Sequence, residues 1–249
     1  MSGQSKWATI KHKKGAADAK RGKLFAKLAR QIEVSARAGG GDPDMNPTLR
    51  TAVQKAKAAS MTNDAIDRAI KRGTGEGGGD AYEDITYEGY APGGVALLID
   101  VLTDNRNRTS ADIRNILSKM GGSMAEPGAV GWQFKRQGVV LVEGAVDEDE
   151  LMMAALDAGA DDVSGAQESW TVTCDPSSTF DVKESLEGAG FTVLSADMPM
   201  VSDNLVPVES VEDAKKLLRI LDAIEDNDDV QDVYSNFDIS DQIMEEATA

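Results

Sequence analysis

Residues 139–196 read VVLVEGAVDEDELMMAALDAGADDVSGAQESWTVTCDPSSTFDVKESLEGAGFTVLSA, and this stretch decides the fold. Short apolar runs predict strands at 139–142, 161–164, 169–174 and 191–196. Helical spacing predicts helices at 148–158 and 179–189, the first with Leu151, Met152, Ala155 and Leu156 facing inward. The order βαββαβ is that of a ferredoxin-like split unit. We therefore expect residues 137–203 to form a self-sufficient α+β domain.

The segments on either side of this unit complete each other. Residues 82–134 predict the order ββαβ, with Thr109 and Asp112 as a capping box for the helix. After Pro207, Ser210 and Asp213 predict the start of a strong helix, and a single strand is expected over 230–239. This helix and strand have no partner in the completed unit. We therefore expect a discontinuous α+β domain formed by 80–136 plus 204–249, into which 137–203 is inserted.

The first 79 residues predict a separate, basic helical domain. Helices are expected at 16–38, from Pro47 to about residue 59 with Asn46 as the N-cap, and from Thr62 or Asn63 to Gly73. The first helix places Leu24, Phe25, Leu28 and Ile32 on one face. The glycine-rich stretch 73–80 then predicts a linker. The predicted class is α+β: a three-helix domain followed by two ferredoxin-like sheet domains, one inserted into the other.

The charge of the chain is divided unevenly along its length. The net charge is −17, which as a single number argues against a polyanionic partner. Residues 1–75, however, hold sixteen basic and six acidic side chains, whereas the remainder holds ten basic and 37 acidic ones. Because salt screens charges beyond about 8 Å, a basic face can act locally. This split is typical of a nucleic-acid-binding arm on an acidic body.

Two groups of side chains are candidates for nucleic-acid contact. The first lies in the N-terminal arm and on one face of the first helix, where acids are nearly absent; a merely solvated face is the alternative. Trp7 suits base stacking, or else it covers the helical core. The first group comprises Lys6, Trp7, Lys11, His12, Lys13, Lys14, Lys20, Arg21, Lys23, Lys27 and Arg30.

The second group lies in Thr103-Asp-Asn-Arg-Asn-Arg-Thr109, which joins a strand to a helix. Arginine forks pair with phosphates, asparagine amides can contact base edges, and the helix N-terminus favours an anion. The alternative is a turn whose arginines pair with neighbouring acids. The second group comprises Asn105, Arg106, Asn107 and Arg108.

Signals for catalysis or metal binding are weak. His12 is the only histidine and Cys174 the only cysteine, so neither a Ser-His-Asp triad nor a zinc knuckle can be assembled. Asp42, Asp44 and Asn46 have the spacing of a calcium loop, but Pro47 stands where that loop needs glycine. Apolar runs are too short to span a bilayer. We expect no enzyme activity, no cofactor, no metal, no small-molecule substrate and no membrane partner.

Several longer motifs resemble those of the YebC family across nearly the whole chain. They are SKWATIKHKK (5–14), DAKRGK (18–23), GGDP (40–43), YEGY (87–90), GVA (94–96), TDNRNRT (103–109), DDVQ (228–231) and NF (236–237). Two positions depart from the family pattern: Gln4 replaces a usual His, and MTND (61–64) replaces a usual MPKD. Contacts made at those positions are therefore not carried over to this chain.

The YebC family includes probable transcriptional regulators of bacteria and a mitochondrial translational activator. The resemblance implies a helical N-terminal domain followed by two α+β domains. It also implies either binding to ribosomal or transfer RNA at the ribosome, where the protein would relieve stalling, or binding to promoter DNA. A protein adaptor acting through the acidic sheets is a third hypothesis. Since the resemblance begins at about Ser2, we expect no targeting peptide and a bacterial cytoplasmic location.

Overall fold

A computed structural model describes residues 18–75, 82–166 and 169–248, with side chains from residue 22 onward except that of Ala166. The first unit consists of three helices: α1 (Asp18–Gly39), α2 (Pro47–Ala58) and α3 (Asn63–Gly73). Their core contains Leu28, Ile32, Leu49 and Ile66. This helical unit is followed by units that combine sheets and helices, which confirms the predicted α+β fold class.

Asn46 fixes the start of α2, as predicted. Its Oδ1 accepts a hydrogen bond from the backbone N–H of Leu49 at 3.1 Å, and its Nδ2 donates to the carbonyl oxygens of Ser35 and Gly40, both at 2.9 Å. One buried amide thus caps α2 and ties it to the end of α1. At the other end of the unit, a Cβ on Gly73 would lie 2.4 Å from the carbonyl oxygen of Glu33. Only glycine lets α3 approach α1 this closely.

The second unit is built on a four-stranded sheet in the order β11-β2-β1-β3, where β1 is Glu83–Ala91, β2 is Val95–Thr103, β3 is Ser123–Met124 and β11 is Val230–Ser235. One face is covered by α4 (Arg106–Lys119) and α7 (Val211–Glu225), with α8 (Asp241–Thr248) beside them. Successive side chains of a strand point to opposite faces. Leu97 and Ile99 therefore meet the helices, whereas Ala96 and Leu98 meet Val130 on the other face.

The third unit is a four-stranded sheet with two helices. Along the chain its elements are β5 (Gly138–Glu143), α5 (Glu148–Asp157), β6 (Asp162–Ala166), β7 (Ser169–Cys174), α6 (Thr179–Gly188) and β8 (Val193–Asp197). All three strand pairs are antiparallel. Numbered within the unit, the strand order is 4-1-3-2, which is the ferredoxin-like arrangement predicted from residues 139–196.

Short strands connect these sheets. β4 (Phe134–Arg136) enters the third unit and β9 (Met200–Ser202) leaves it, and the two pair with each other. β11 then pairs with β2, more than a hundred residues earlier in the chain. β10 (Val206–Val208) pairs in parallel with β12 (Phe237–Ile239). The domain boundaries given above remain predictions, and part of the linker, residues 76–80, lies outside the described residues.

Several local predictions are wrong. Met152 and Leu156 are exposed, because the ten-residue α5 covers its sheet mainly with Leu151 and Ala155. The strand expected over 230–239 is two strands, β11 and β12, separated by Asn236. The side-chain Oδ1 of Asn236 accepts a hydrogen bond from the backbone N–H of Ala96. The last strand predicted within 82–134, a short one at 131–134, begins only at Phe134. Leu24 is exposed rather than buried, because it stands at the margin of the apolar stripe of α1.

The two leucines of α1 provide a matched test of this packing. Leu28 is 9% exposed and Leu24 is 45% exposed, one turn apart on the same helix. We expect Leu28→Ala to lower the opening free energy of α1 by about 2–4 kcal/mol through the cavity it leaves. Leu24→Ala, with the same change in helix propensity, should lower it by less than about 1 kcal/mol. Hydrogen exchange of the α1 amides measures both, and equal losses would contradict the packing described.

Candidate nucleic-acid interface

The loop between β2 and α4 is held by its own side chains. Asn105 is the N-cap of α4, and its Oδ1 accepts from the backbone N–H of Arg108 at 3.1 Å. The predicted capping box of Thr109 and Asp112 is therefore wrong, because Asn105 starts the helix one turn earlier. This frees Thr109, which is buried in the first turn, for a different contact.

That contact is with Asp229, a buried residue immediately before β11. Its Oδ2 accepts from the hydroxyl of Thr109 at 2.6 Å and from Arg108 at 2.7 Å. The hydroxyl of Thr103 donates to the same oxygen at 3.2 Å. The other carboxylate oxygen of Asp229, Oδ1, accepts a hydrogen bond from Arg30 of α1 at 3.1 Å. One carboxylate thus joins the loop after β2, the start of β11 and the helical unit.

The Asp229 carboxylate is ionised in this setting. Burial alone would raise its pKa, but hydrogen bonds from Thr109 and Arg108, together with the charge of Arg108, more than offset that effect and hold the pKa below its ordinary value. Arg108 also pairs with Asp104 at 2.8 Å. The guanidinium of Arg108 therefore pairs with two nearby carboxylates. For Arg108, this matches the alternative interpretation of the loop, a turn whose arginines pair with neighbouring acids.

The basic face of α1 lies against the carboxyl end of α7. Lys23 donates to the carboxylate of Asp226 at 2.8 Å and to its carbonyl oxygen at 3.1 Å. Lys27 donates to the carbonyl oxygen of Glu225 at 2.6 Å. Arg30 donates to the carbonyl oxygens of Asp228 at 2.9 Å and Leu102 at 3.0 Å. Three of the predicted contact residues are therefore engaged within the molecule.

This contact explains how an acidic run is tolerated where α7 ends. The last carbonyls of a helix lack partners within the helix and carry the negative end of its dipole, so carboxylates there are unfavourable. Lysines from α1 supply both the missing donors and the missing positive charge. Asp229 lies in the motif DDVQ (228–231) but is not among the contact residues predicted from the sequence. The signal that could have found it is this unfavourable run, 225–229, which requires basic partners from elsewhere in the chain.

The remaining candidates fall into three groups. Arg106 and Asn107 are exposed, and within the described part of the chain their side chains make no hydrogen bond or ion pair. Lys20 and Arg21 lie in α1, but their side chains are outside the described part. Wholly outside it are Lys6, Trp7, Lys11, His12, Lys13 and Lys14. The two predicted contact groups are therefore linked in the described part of the chain, because Arg30 of α1 and Arg108 of the 105–108 loop both bind Asp229.

Other chemistry finds little support in the described residues. Cys174 is buried, and burial raises the pKa of its thiol. Asp42 accepts from the backbone N–H of Asp44, which closes the turn before α2. Over residues 18–75, 82–166 and 169–248, no cluster of three or more histidine, cysteine or acidic side chains suits a metal ion. None of the helices in those ranges has the length and apolar character to cross a bilayer.

The fold and this interface define a class of protein: a basic three-helix unit docked on two acidic α+β units. Residues 5–76 match the TACO1/YebC protein N-terminal domain, and residues 82–237 match the TACO1/YebC second and third domain. The chain belongs to the TACO1/YebC family.

Similar proteins cover the chain almost completely. A probable transcriptional regulatory protein of Halothermothrix orenii is 57% identical over 100% of this chain and 99% of its own length. A protein of the same description from Rubrobacter xylanophilus is 58% identical over 99% of both chains. The crystal structure of a conserved hypothetical protein from Aquifex aeolicus superposes with a TM-score of 0.79 at 43% identity, covering 90% of this chain and 93% of that one.

Asp229→Asn tests the role of the buried carboxylate. A carboxylate with a depressed pKa stabilises the fold above its unfolded pKa of about 3.9, and this contribution is lost as pH falls through the lower folded pKa. We expect Asp229→Asn to lower the free energy of unfolding at pH 7 by about 1.5–3 kcal/mol. The variant and the wild type should converge well below pH 4.

The measurement is urea unfolding at pH 7 and pH 3. Asp226→Asn, which alters an exposed ion pair, serves as the control and should cost less than about 1 kcal/mol at pH 7. A difference between Asp229→Asn and the wild type that is the same at both pH values would contradict an ionised, stabilising Asp229.

Proposed function

We propose that this protein is a non-enzymatic regulator of gene expression that binds nucleic acid through its N-terminal helical unit. The supporting observation is the charge split: ten net positive charges in residues 1–75 of a chain whose net charge is −17. The relatives described as probable transcriptional regulatory proteins support the broader role of regulator. Phosphate contacts from lysine and arginine supply most of the affinity of such a surface and little sequence selection.

The finer part of the proposal is that the ligand is ribosomal or transfer RNA and that the protein acts at the ribosome as a translation factor that relieves stalling. The described face of α1 that carries Lys27 and Arg30 is held against the sheet unit, which does not favour its insertion into the major groove of DNA as a recognition helix. A basic segment, residues 5–14, preceding a compact helical unit better suits recognition of RNA by shape and phosphate position. Arg106 and Asn107, exposed in the loop whose Arg108 shares Asp229 with α1, are the second proposed contact. We place this activity in the cytoplasm.

Promoter DNA is the second candidate ligand, favoured by the description that the relatives carry. Ribosome co-sedimentation and a DNA mobility shift at matched salt distinguish the two ligands. Co-sedimentation without a DNA shift is expected, and the reverse pattern would replace RNA with DNA. Binding to neither would favour a protein adaptor that acts through the acidic sheet units.

A matched pair of charge-reversal variants tests the N-terminal surface. The first variant changes Lys11, Lys13, Lys14 and Lys20 to Glu and leaves Lys23 and Lys27, which also hold the helical unit in place. The second changes Lys119, Lys135, Lys215 and Lys216, which are exposed on the acidic units, to Glu. Both alter the net charge equally, so a difference between them reports position rather than total charge.

We expect the first variant to bind RNA or ribosomes at least roughly 100-fold more weakly at physiological salt, because four phosphate contacts are lost. The second should bind within a few-fold of the wild type. Circular dichroism checks that both variants fold. Equal weakening in the two variants would count against a localised surface and leave only a general charge effect.

A further inference from the structure

The side chains best placed to bind a polyanion on α1 are already bound to oxygen atoms of the same molecule. Lys23, Lys27 and Arg30 together contact one carboxylate and three carbonyl oxygens in residues 225–228, and Arg30 adds the carboxylate of Asp229. We call residues 225–229 the acidic turn. Its oxygens occupy the donors that would otherwise bind phosphate oxygens.

We propose that the acidic turn is an autoinhibitory contact, which competes with nucleic acid for Lys23, Lys27 and Arg30. Nucleic acid then gains these three side chains only when the helical unit separates from the end of α7. The inference rests on the proposed nucleic-acid binding and adds a regulatory step to it.

The contact is exposed to solvent at its outer end, Lys23, and more enclosed at its inner end, Arg30. Lys23 and Asp226 form an exposed pair, with 44% and 67% of their side chains accessible. Arg30 is more enclosed: its Nη1 has three oxygen acceptors within 3.1 Å, and its guanidinium lies 4.8 Å from the centre of the Tyr82 ring. Exposed pairs contribute little and are screened by salt, whereas enclosed charge-assisted hydrogen bonds are stronger. A competing polyanion would therefore displace the turn from its outer end first.

The charge of the turn gives this competition a selective effect. A ligand must present phosphates densely enough to replace the carboxylates of the turn, and it must also tolerate the acidic units behind them. Weak or sparse anions would not meet that condition. The turn would thus limit indiscriminate binding by a surface whose phosphate contacts carry little sequence information.

Two single substitutions test the proposal with equal changes in charge. Asp226→Asn removes the carboxylate that holds Lys23, and Asp203→Asn removes an exposed carboxylate that pairs with Lys135 at 2.7 Å on another unit. Affinities for purified ribosomal RNA and for duplex DNA are measured in parallel at low salt. We expect Asp226→Asn to tighten binding about two- to five-fold, the scale of one exposed ion pair, with Asp203→Asn close to the wild type.

A reversible tether provides a second, independent measurement. In the variant K23C/D226C, a short cleavable bis-maleimide would hold α1 against the acidic turn, while Cys174 is buried and protected from the reagent. The tethered protein should bind several-fold more weakly than the same sample after cleavage. Equal affinity before and after cleavage, together with equal affinity of Asp226→Asn and Asp203→Asn, would overturn the autoinhibitory contact alone. If the wild type binds neither nucleic acid, the proposed function falls, and this inference falls with it.

Discussion

The placement of the helical unit on the second unit depends on one buried carboxylate. Asp229 precedes the edge strand β11 and binds Thr103 at the end of β2, Arg108 and Thr109 in the first turn of α4, and Arg30 of α1. An ionised group in such a position is tolerated only when it is paired and fully hydrogen-bonded, and here donors from three parts of the chain meet that requirement. Because those donors belong to separate segments, satisfying one charge also fixes where the segments stand relative to each other.

The same junction resolves the electrostatic contradiction in the composition. An acidic chain with a basic first third could hold its two parts away from each other or pair them. The structure pairs them at the carboxyl end of α7, where unpaired carbonyls and carboxylates both need positive partners. The basic face of α1 therefore has a structural role in addition to the proposed binding role. Arg106 and Asn107 are exposed in the loop that contacts Asp229 through Arg108.

Local signals in the sequence were enough to predict most elements, and they failed where tertiary contacts decide. The caps at Asn46 and Ser210 and the limits of the strand Ser169–Cys174 follow from rules that act over a few residues. Leu24, Met152 and Leu156 were placed in cores because helical spacing identifies a stripe but not how far its partner extends. At the interface, sequence alone identified Arg30 and Arg108 as separate candidates. Their common partner Asp229 lies 121 residues beyond Arg108, and no local pattern links the two.

The central claim is that a localised basic surface binds nucleic acid on a protein that is acidic overall. The dependence of affinity on salt tests it most directly, because release of counterions from phosphates makes log affinity fall linearly with log salt concentration. We expect a steep negative slope for ribosomal RNA, equivalent to several phosphate contacts, despite the net charge of −17. A slope near zero, or affinity that rises with salt as repulsion between two polyanions is screened, would contradict the account.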